Sequence, residues 1–218
     1  DIFITVLRGC GALRALLPEV DALFGVPQSP QHHPEVDTGL HTLMVLQQSA
    51  LLTPAADVRF AALLHDVGKG VTPEAEWPRH IAHEHRGLPL VRAACSRLRT
   101  PNQYRDLALQ VCEFHLLCHR AYELRGKTLL KLLRGTGALR QPERFEAFLL
   151  VCEADARGRA GSEQSAYSQS AYLREALQLI LSVNAKTLMA QGLGGKALGN
   201  AITAEQTRLL DVMRLEHR

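Results

Sequence analysis

Residues 60 to 70, Phe-Ala-Ala-Leu-Leu-His-Asp-Val-Gly-Lys-Gly, constrain this chain more than any other stretch. An apolar helical run delivers His65 and Asp66 side by side to a glycine-flanked end, with Lys69 just beyond. Adjacent residues on a helix do not share a face, but the last turn lets two neighbouring side chains converge on one ion. The stripe leading in is Val58, Ala61, Ala62 and His65, so the histidine takes a position that helical periodicity reserves for a buried residue. Two other stripes are interrupted in the same way. Tyr104, Leu107, Ala108 and Val111 run on to His115 and Cys118, and Phe145, Phe148, Leu149 and Cys152 run on to Asp155. A carboxylate on an apolar stripe is costly to bury unless it is paired or coordinates a metal. Together with His41 on the flank of an earlier helix, these residues share one explanation: a fold that gathers them around a metal centre.

The rest of the pattern is helical. Only 5% of residues are aromatic, while Leu, Ala and Arg dominate, which favours helices over strands. Phe3, Val6, Leu7, Cys10, Leu13 and Leu17 recur at helical spacing, and Pro18 opens a second turn ending near Gly25. Residues 25 to 38 hold three prolines without apolar periodicity and read as an ordered loop, with His32 and His33 exposed on it. Further helices are expected over 39 to 49 and from 54, where Thr53-Pro54 gives a cap followed by proline at the first helical position; Gly68 and Gly70 should end the latter. Others are expected over 80 to 98, after Thr100-Pro101, over 127 to 133 and from Pro142, then after the polar stretch 158 to 169 over 170 to 182, 185 to 191 and up to about Glu216. The fold class is all-α: a helical bundle around the site, followed by a smaller C-terminal helical segment. Three segments are expected: a lead-in over 1–38, the site-bearing domain over 39–158 and a helical tail over 159–218. The chain enters its first helix without an initiator methionine, which reads as a piece of a longer chain.

A net charge of +3 does not by itself argue for nucleic acid. No apolar run approaches the roughly 20 residues that cross a bilayer, and no secretory leader is apparent. The five cysteines, Cys10, Cys95, Cys112, Cys118 and Cys152, are odd in number and lack C-x-x-C spacing. They read as small buried hydrophobes in a reducing compartment, so a cytoplasmic protein without membrane partners is expected.

Imidazole and carboxylate together suit Mn²⁺, Fe²⁺, Co²⁺, Ni²⁺ and Zn²⁺. Asp66 has two oxygens and can bridge two ions. Such a site lowers the pKa of water to about 7 for attack on phosphorus, and Lys69, Arg157 and Arg159 are placed to bind phosphate oxygens. Metal-assisted hydrolysis of a phosphoester is the reaction class implied. Each residue also has a plainer reading: His115 as a core histidine donating to a carbonyl, Asp155 as a paired structural carboxylate, Lys69 as a partner of the helix dipole, and Arg157 and Arg159 as a solvated helix end.

The order His41, His65-Asp66, Asp155 resembles the H…HD…D pattern of the HD superfamily of metal-dependent phosphohydrolases. Longer stretches are similar to the C-terminal part of bacterial multifunctional CCA-adding enzymes: His33-Pro-Glu-Val-Asp-Thr-Gly-Leu-His41, Val58 through Gly70, Trp77-Pro-Arg-His80 and Glu153-Ala-Asp155-Ala-Arg-Gly-Arg159. The resemblance implies His41, His65, Asp66 and Asp155 as metal ligands, with Asp66 and Lys69 catalytic. It offers His83 and His115 for a second ion, with Ala82 standing where the family element has glycine, and His80, Lys69, Arg157 and Arg159 for substrate. It implies hydrolysis of 2′,3′-cyclic phosphodiesters, 2′-nucleotides and phosphomonoesters supported by nickel or magnesium, and tRNA as a partner, with residues 192 to 199 resembling a tRNA-contacting tail. The family's nucleotide-adding head, with its Gly-Ser loop and Asp-x-Asp pair, has no counterpart here. Two alternatives are a tRNA-clasping module that keeps its metal for structure, and a stand-alone HD nucleotide phosphohydrolase.

Overall fold

A computed structural model describes residues 1–31 and 33–217; His32, expected on an exposed loop, lies outside them. Among the described residues the chain is all-α, as its periodicities indicate, with one isolated bridge between Pro27 and Asp37. In order the helices are α1 (Ile2–Gly9), α2 (Ala12–Leu16), α3 (Pro18–Asp21), α4 (Thr38–Leu52), α5 (Ala56–Leu64), α6 (His83–Arg97), α7 (Asn102–His119), α8 (Gly126–Gly135), α9 (Pro142–Arg157), α10 (Gln169–Leu181), α11 (Ala185–Met189) and α12 (Gly195–Glu216).

Three local expectations are corrected. Helix α5 starts at Ala56, because Thr53 is extended and its hydroxyl accepts from the Ala55 N–H, so Pro54 lies in the capping turn. The glycines after His65 do not terminate an α-helix: α5 stops at Leu64, and Val67–Val71 forms a 3-10 segment containing both. Helix α6 starts at His83 rather than near 80, since His80 and Ala82 have positive φ and cannot continue a right-handed turn. Cysteines 95, 112, 118 and 152 are buried as expected, whereas Cys10 is exposed at the end of α1.

The chain forms two compact units, Asp1–His115 with Glu146–Tyr167, and Leu116–Phe145 with Ser168–Arg218. These cut the chain differently from three consecutive segments, because the borders also fall inside α7 and α9. In the first unit glycines set the close approaches. A Cβ on Gly68 would overlap the His83 carbonyl and come 2.7 Å from the Gly87 nitrogen, so the 3-10 segment lies directly on α6. Gly87 leaves room for the Cys112 sulfur of α7, and Gly158 for Val45 of α4. The core around them includes Val58, Leu64, Val91, Val111, Phe148 and Leu149. The loop before α4 is pinned by backbone bonds from Gln28 to Val36 (2.7 Å) and Thr38 to Val26 (3.0 Å) and by the Asp37 carboxylate, which accepts from Gly25 and caps α4 at Leu40.

In the second unit the N–H of Gly126 at the start of α8 donates to Asp211 of α12 at 2.8 Å, and Arg134 donates to Gln206, which in turn donates to the Ile180 carbonyl of α10. Leu129, Leu133, Leu173, Ile180 and Leu210 are buried there. The sequence of this unit carries 13 Lys and Arg against 6 Asp and Glu, and that of the first 12 against 16, together the 25 and 22 of the whole chain. Charge sign is thus segregated between the units.

Candidate metal centre

The centre lies in the first unit, on side chains brought by α4, α6, α7 and α9 and by the junction between α5 and the 3-10 segment. His41 comes from the first turn of α4, His65 from the residue after α5, and Asp66 from the turn into the 3-10 segment; His83 is the first residue of α6, His115 lies in α7 and Asp155 in the last turn of α9. All six are buried. His65 is still helical in backbone (φ −58°, ψ −36°), whereas Asp66 sits in the bridge region (φ −113°, ψ 11°). That change of direction lets two adjacent side chains face one point.

Asp66 is shared between two groups of ligand atoms. Its Oδ2 lies 3.2 Å from His65 Nε2, which is 3.8 Å from Asp155 Oδ1; that oxygen is 3.1 Å from His41 Nε2. Its Oδ1 lies 3.1 Å from His83 Nε2 and 3.4 Å from His115 Nε2. Neighbouring ligand atoms at right angles on an ion with bonds of 2.0–2.2 Å stand about 3 Å apart; the separations of 3.1, 3.2 and 3.4 Å are of that size, and the 3.8 Å between His65 and Asp155 is wider. Among the described residues, His65 Nε2, His83 Nε2 and Asp66 Oδ1 are buried without an aligned hydrogen-bond partner. Buried polar atoms are rarely left so, and here imidazole nitrogens and carboxylate oxygens face one another. The donor set fits a divalent ion.

The other ring nitrogens agree. His65 Nδ1 donates to the Ala62 carbonyl at 2.7 Å, His83 Nδ1 to His80 at 2.9 Å, His115 Nδ1 to Val111 at 3.0 Å and His41 Nδ1 toward Gly158 at 3.2 Å. Carbonyls only accept, so each Nδ1 carries a hydrogen, and Nε2 is the nitrogen each ring turns toward the carboxylates. Electrostatics follow from this crowding. Burial alone would raise the Asp66 pKa, but Lys69, His65 and His115 hold it well below the usual carboxylate range. Burial alone would lower His65, yet Asp66 and Asp155 carry it up to about 9; burial keeps His115 below the usual value.

The remaining expected residues divide. Lys69 is buried, with Nζ 2.6 Å from Asp66 Oδ2 and 2.8 Å from Gln28 Oε1, so it stands within the wall rather than at an open mouth. His80 donates from Nε2 to the Pro27 carbonyl at 2.8 Å, and its buried Nδ1 has no hydrogen-bond partner among the described residues. Arg157 is engaged by Glu153 at 2.7 Å and by the Ser165 carbonyl. Arg159 is one of the charges acting on His33, and its buried Nε has no hydrogen-bond partner among the described residues.

Three residues escaped sequence reasoning. His33, expected to be exposed, is half-buried, with its ring edge-on to His41 at a centroid distance of 4.6 Å, and burial lowers its pKa to about 3. Glu35 lies 2.9 Å from His41 Nδ1, and Gln28 is buried against Lys69. All three belong to the loop before α4, where no periodicity assigns a face; three prolines in a short stretch were the one sign that the loop is fixed.

This arrangement defines the class. Residues 38–169 match the HD domain family, and the chain belongs to it. It is also 53% identical over 217 residues, all but the whole chain, to the Multifunctional CCA protein of Pseudomonas savastanoi pv. phaseolicola, and covers 53% of that protein. It is 54% identical over 214 residues to that of Thioalkalivibrio sulfidiphilus and 51% over 213 to that of Teredinibacter turnerae, in each case with 98% of this chain and 52% of the relative. The chain thus spans about half the length of these relatives. No solved structure matches it. No helix among the described residues is long and apolar enough to cross a membrane.

Proposed function

We propose that this chain is a divalent-metal phosphohydrolase acting on 2′,3′-cyclic phosphodiesters, 2′-nucleotides and phosphomonoesters, as part of a protein that handles the CCA end of tRNA. The observation that carries the reading is the convergence of four Nε2 atoms, each with its Nδ1 turned away to an acceptor, on Asp66 and Asp155. His41, His65, Asp66 and Asp155 would hold one ion, and Asp66, His83 and His115 a second, with nickel or magnesium favoured and manganese, cobalt or zinc compatible with the ligands. Bound there, a divalent ion supplies Lewis acidity to the phosphoryl group and to the attacking water.

The chain's own groups do the rest. Lys69 has three N–H donors, of which Asp66 and Gln28 engage two, leaving one for a phosphate oxygen. Its charge offsets Asp66 and the negative charge that builds on the transferring group. His80 Nδ1 and Arg159 Nε are buried polar atoms without a hydrogen-bond partner among the described residues, and Arg157 precedes Arg159 by two residues at the end of α9. The name of these relatives and the excess of Lys and Arg in the second unit support tRNA as a partner of that unit, because phosphate neutralisation dominates RNA affinity. A cytoplasmic setting follows from that partner.

The test is hydrolysis of 2′,3′-cyclic AMP by the chelator-stripped chain, with Ni²⁺, Mn²⁺, Mg²⁺ or Zn²⁺ restored singly, beside Asp66→Ala. Turnover that depends on metal and vanishes in the variant is expected. No turnover with any ion by the folded chain would instead favour the second reading, a tRNA-binding module that keeps its ion for structure, which the charge segregation already supports.

A further inference from the structure

Glu35 gathers four nitrogen atoms beside the centre. Its Oε1 lies 2.9 Å from His41 Nδ1, 3.0 Å from His33 Nδ1 and 3.4 Å from Gln28 Nε2, and its Oε2 accepts from the Ala160 N–H at 3.3 Å. An ionised carboxylate only accepts, so the His41 ring presents an N–H to Glu35, while its Nε2 faces Asp155 Oδ1 at 3.1 Å. His65, His83 and His115 turn Nδ1 to a backbone carbonyl, and the Glu84 carboxylate stands farther off, 3.9 Å from His83 Nδ1. His41 is backed by a carboxylate at 2.9 Å.

We propose that Glu35 is a positioning residue that sets the affinity of the ion position formed by His41, His65, Asp66 and Asp155, while leaving that formed by Asp66, His83 and His115 unaltered. A carboxylate behind a ligating imidazole fixes its tautomer and orientation and makes the ligand more basic, and loss of such a partner typically weakens metal affinity 10–100-fold. Glu35 acts through His41 and touches no ligand position of the second group. The loop that carries it is pinned to α4 through Val26, Val36 and Asp37, and the Ala160 N–H ties its far oxygen to the chain just after α9. Gln28 joins the same carboxylate to Lys69. The charge behind His41 is thus held from the loop, from α4 and from the end of α9 at once.

The inference rests on the metal-centre reading, and calorimetric titration of the chelator-stripped full chain with Ni²⁺ separates the two. His115→Ala isolates the position that retains His41. In that background Glu35→Gln is expected to weaken the remaining step roughly 10–100-fold, because an amide offers one acceptor oxygen where the carboxylate serves donors on both. In His41→Ala, which isolates the other position, Glu35→Gln should change the affinity less than twofold. Glu35→Asp, which keeps the charge, should recover part of the loss. Unchanged affinity in Glu35→Gln, or equal weakening of both steps together with a lower melting temperature of the metal-free chain, would overturn the assignment. Absence of Ni²⁺ binding by the unaltered chain would overturn the centre itself.

Discussion

The ammonium of Lys69 lies 2.6 Å from Oδ2 of Asp66, and both residues are buried. One carboxylate therefore holds a cation of the protein on one oxygen and two imidazoles, His83 and His115, on the other. On the proposed reading truncating it would remove a ligand from both ion positions, and it strands the buried charge of Lys69. Asp66→Ala is expected to lose ion binding in equilibrium dialysis and to be destabilised by about 3–5 kcal/mol in urea unfolding. Retention of two ions would remove Asp66 from the centre.

Gly68 is the point where the 3-10 segment lies on α6. A methyl group there would overlap the His83 carbonyl, and backbone cannot rotate aside as a side chain can. Gly68→Ala is expected to cost about 1–3 kcal/mol and to separate Asp66 from His83, lowering turnover at least tenfold. Urea midpoints and initial rates measured on the same preparation check both effects.

Ion binding should be coupled to protons through His65. The nearby carboxylates carry its pKa up to about 9, so the ring is protonated at neutral pH when the side chains stand alone. Ligation through Nε2 requires that proton to leave. Release of about one proton per centre is expected at neutral pH, falling to none as the pH rises through 9, read from the dependence of binding enthalpy on buffer ionisation. For folding without an ion the sign is opposite: a raised histidine pKa stabilises fully below its ordinary value near 6.5, and that contribution is lost as the pH rises through 9.

His115 and His41 should be separable. His115→Ala is expected to weaken one ion and leave the other within twofold, while His41→Ala does the reverse, since only Asp66 belongs to both groups. Loss of both ions in His115→Ala would mean a single shared position.

Much of the architecture was legible because polar residues interrupted strong stripes. His65, His115 and Asp155 each stood where an apolar residue was due, and a buried polar side chain demands a partner. The segment at Gly68 was less legible, since a glycine that ends a helix and one that admits a neighbouring backbone look alike in sequence. Lys69 could not be seen to lie inside the wall, because its neighbour Gln28 comes from a loop without period. Glu35 and His33 were hidden for the same reason.

Three of the four ligand rings are oriented by carbonyls three or four residues earlier in the chain: Ala62, His80 and Val111. Their aim is inherited from the local turn, and a carbonyl belongs to every amino acid alike. Substitution cannot edit such supports one at a time, so drift in the surrounding side chains leaves the aim of these rings intact. Heritable adjustment of the centre then falls to the side chains that touch it, among them Glu35 behind His41 and Lys69 beside Asp66.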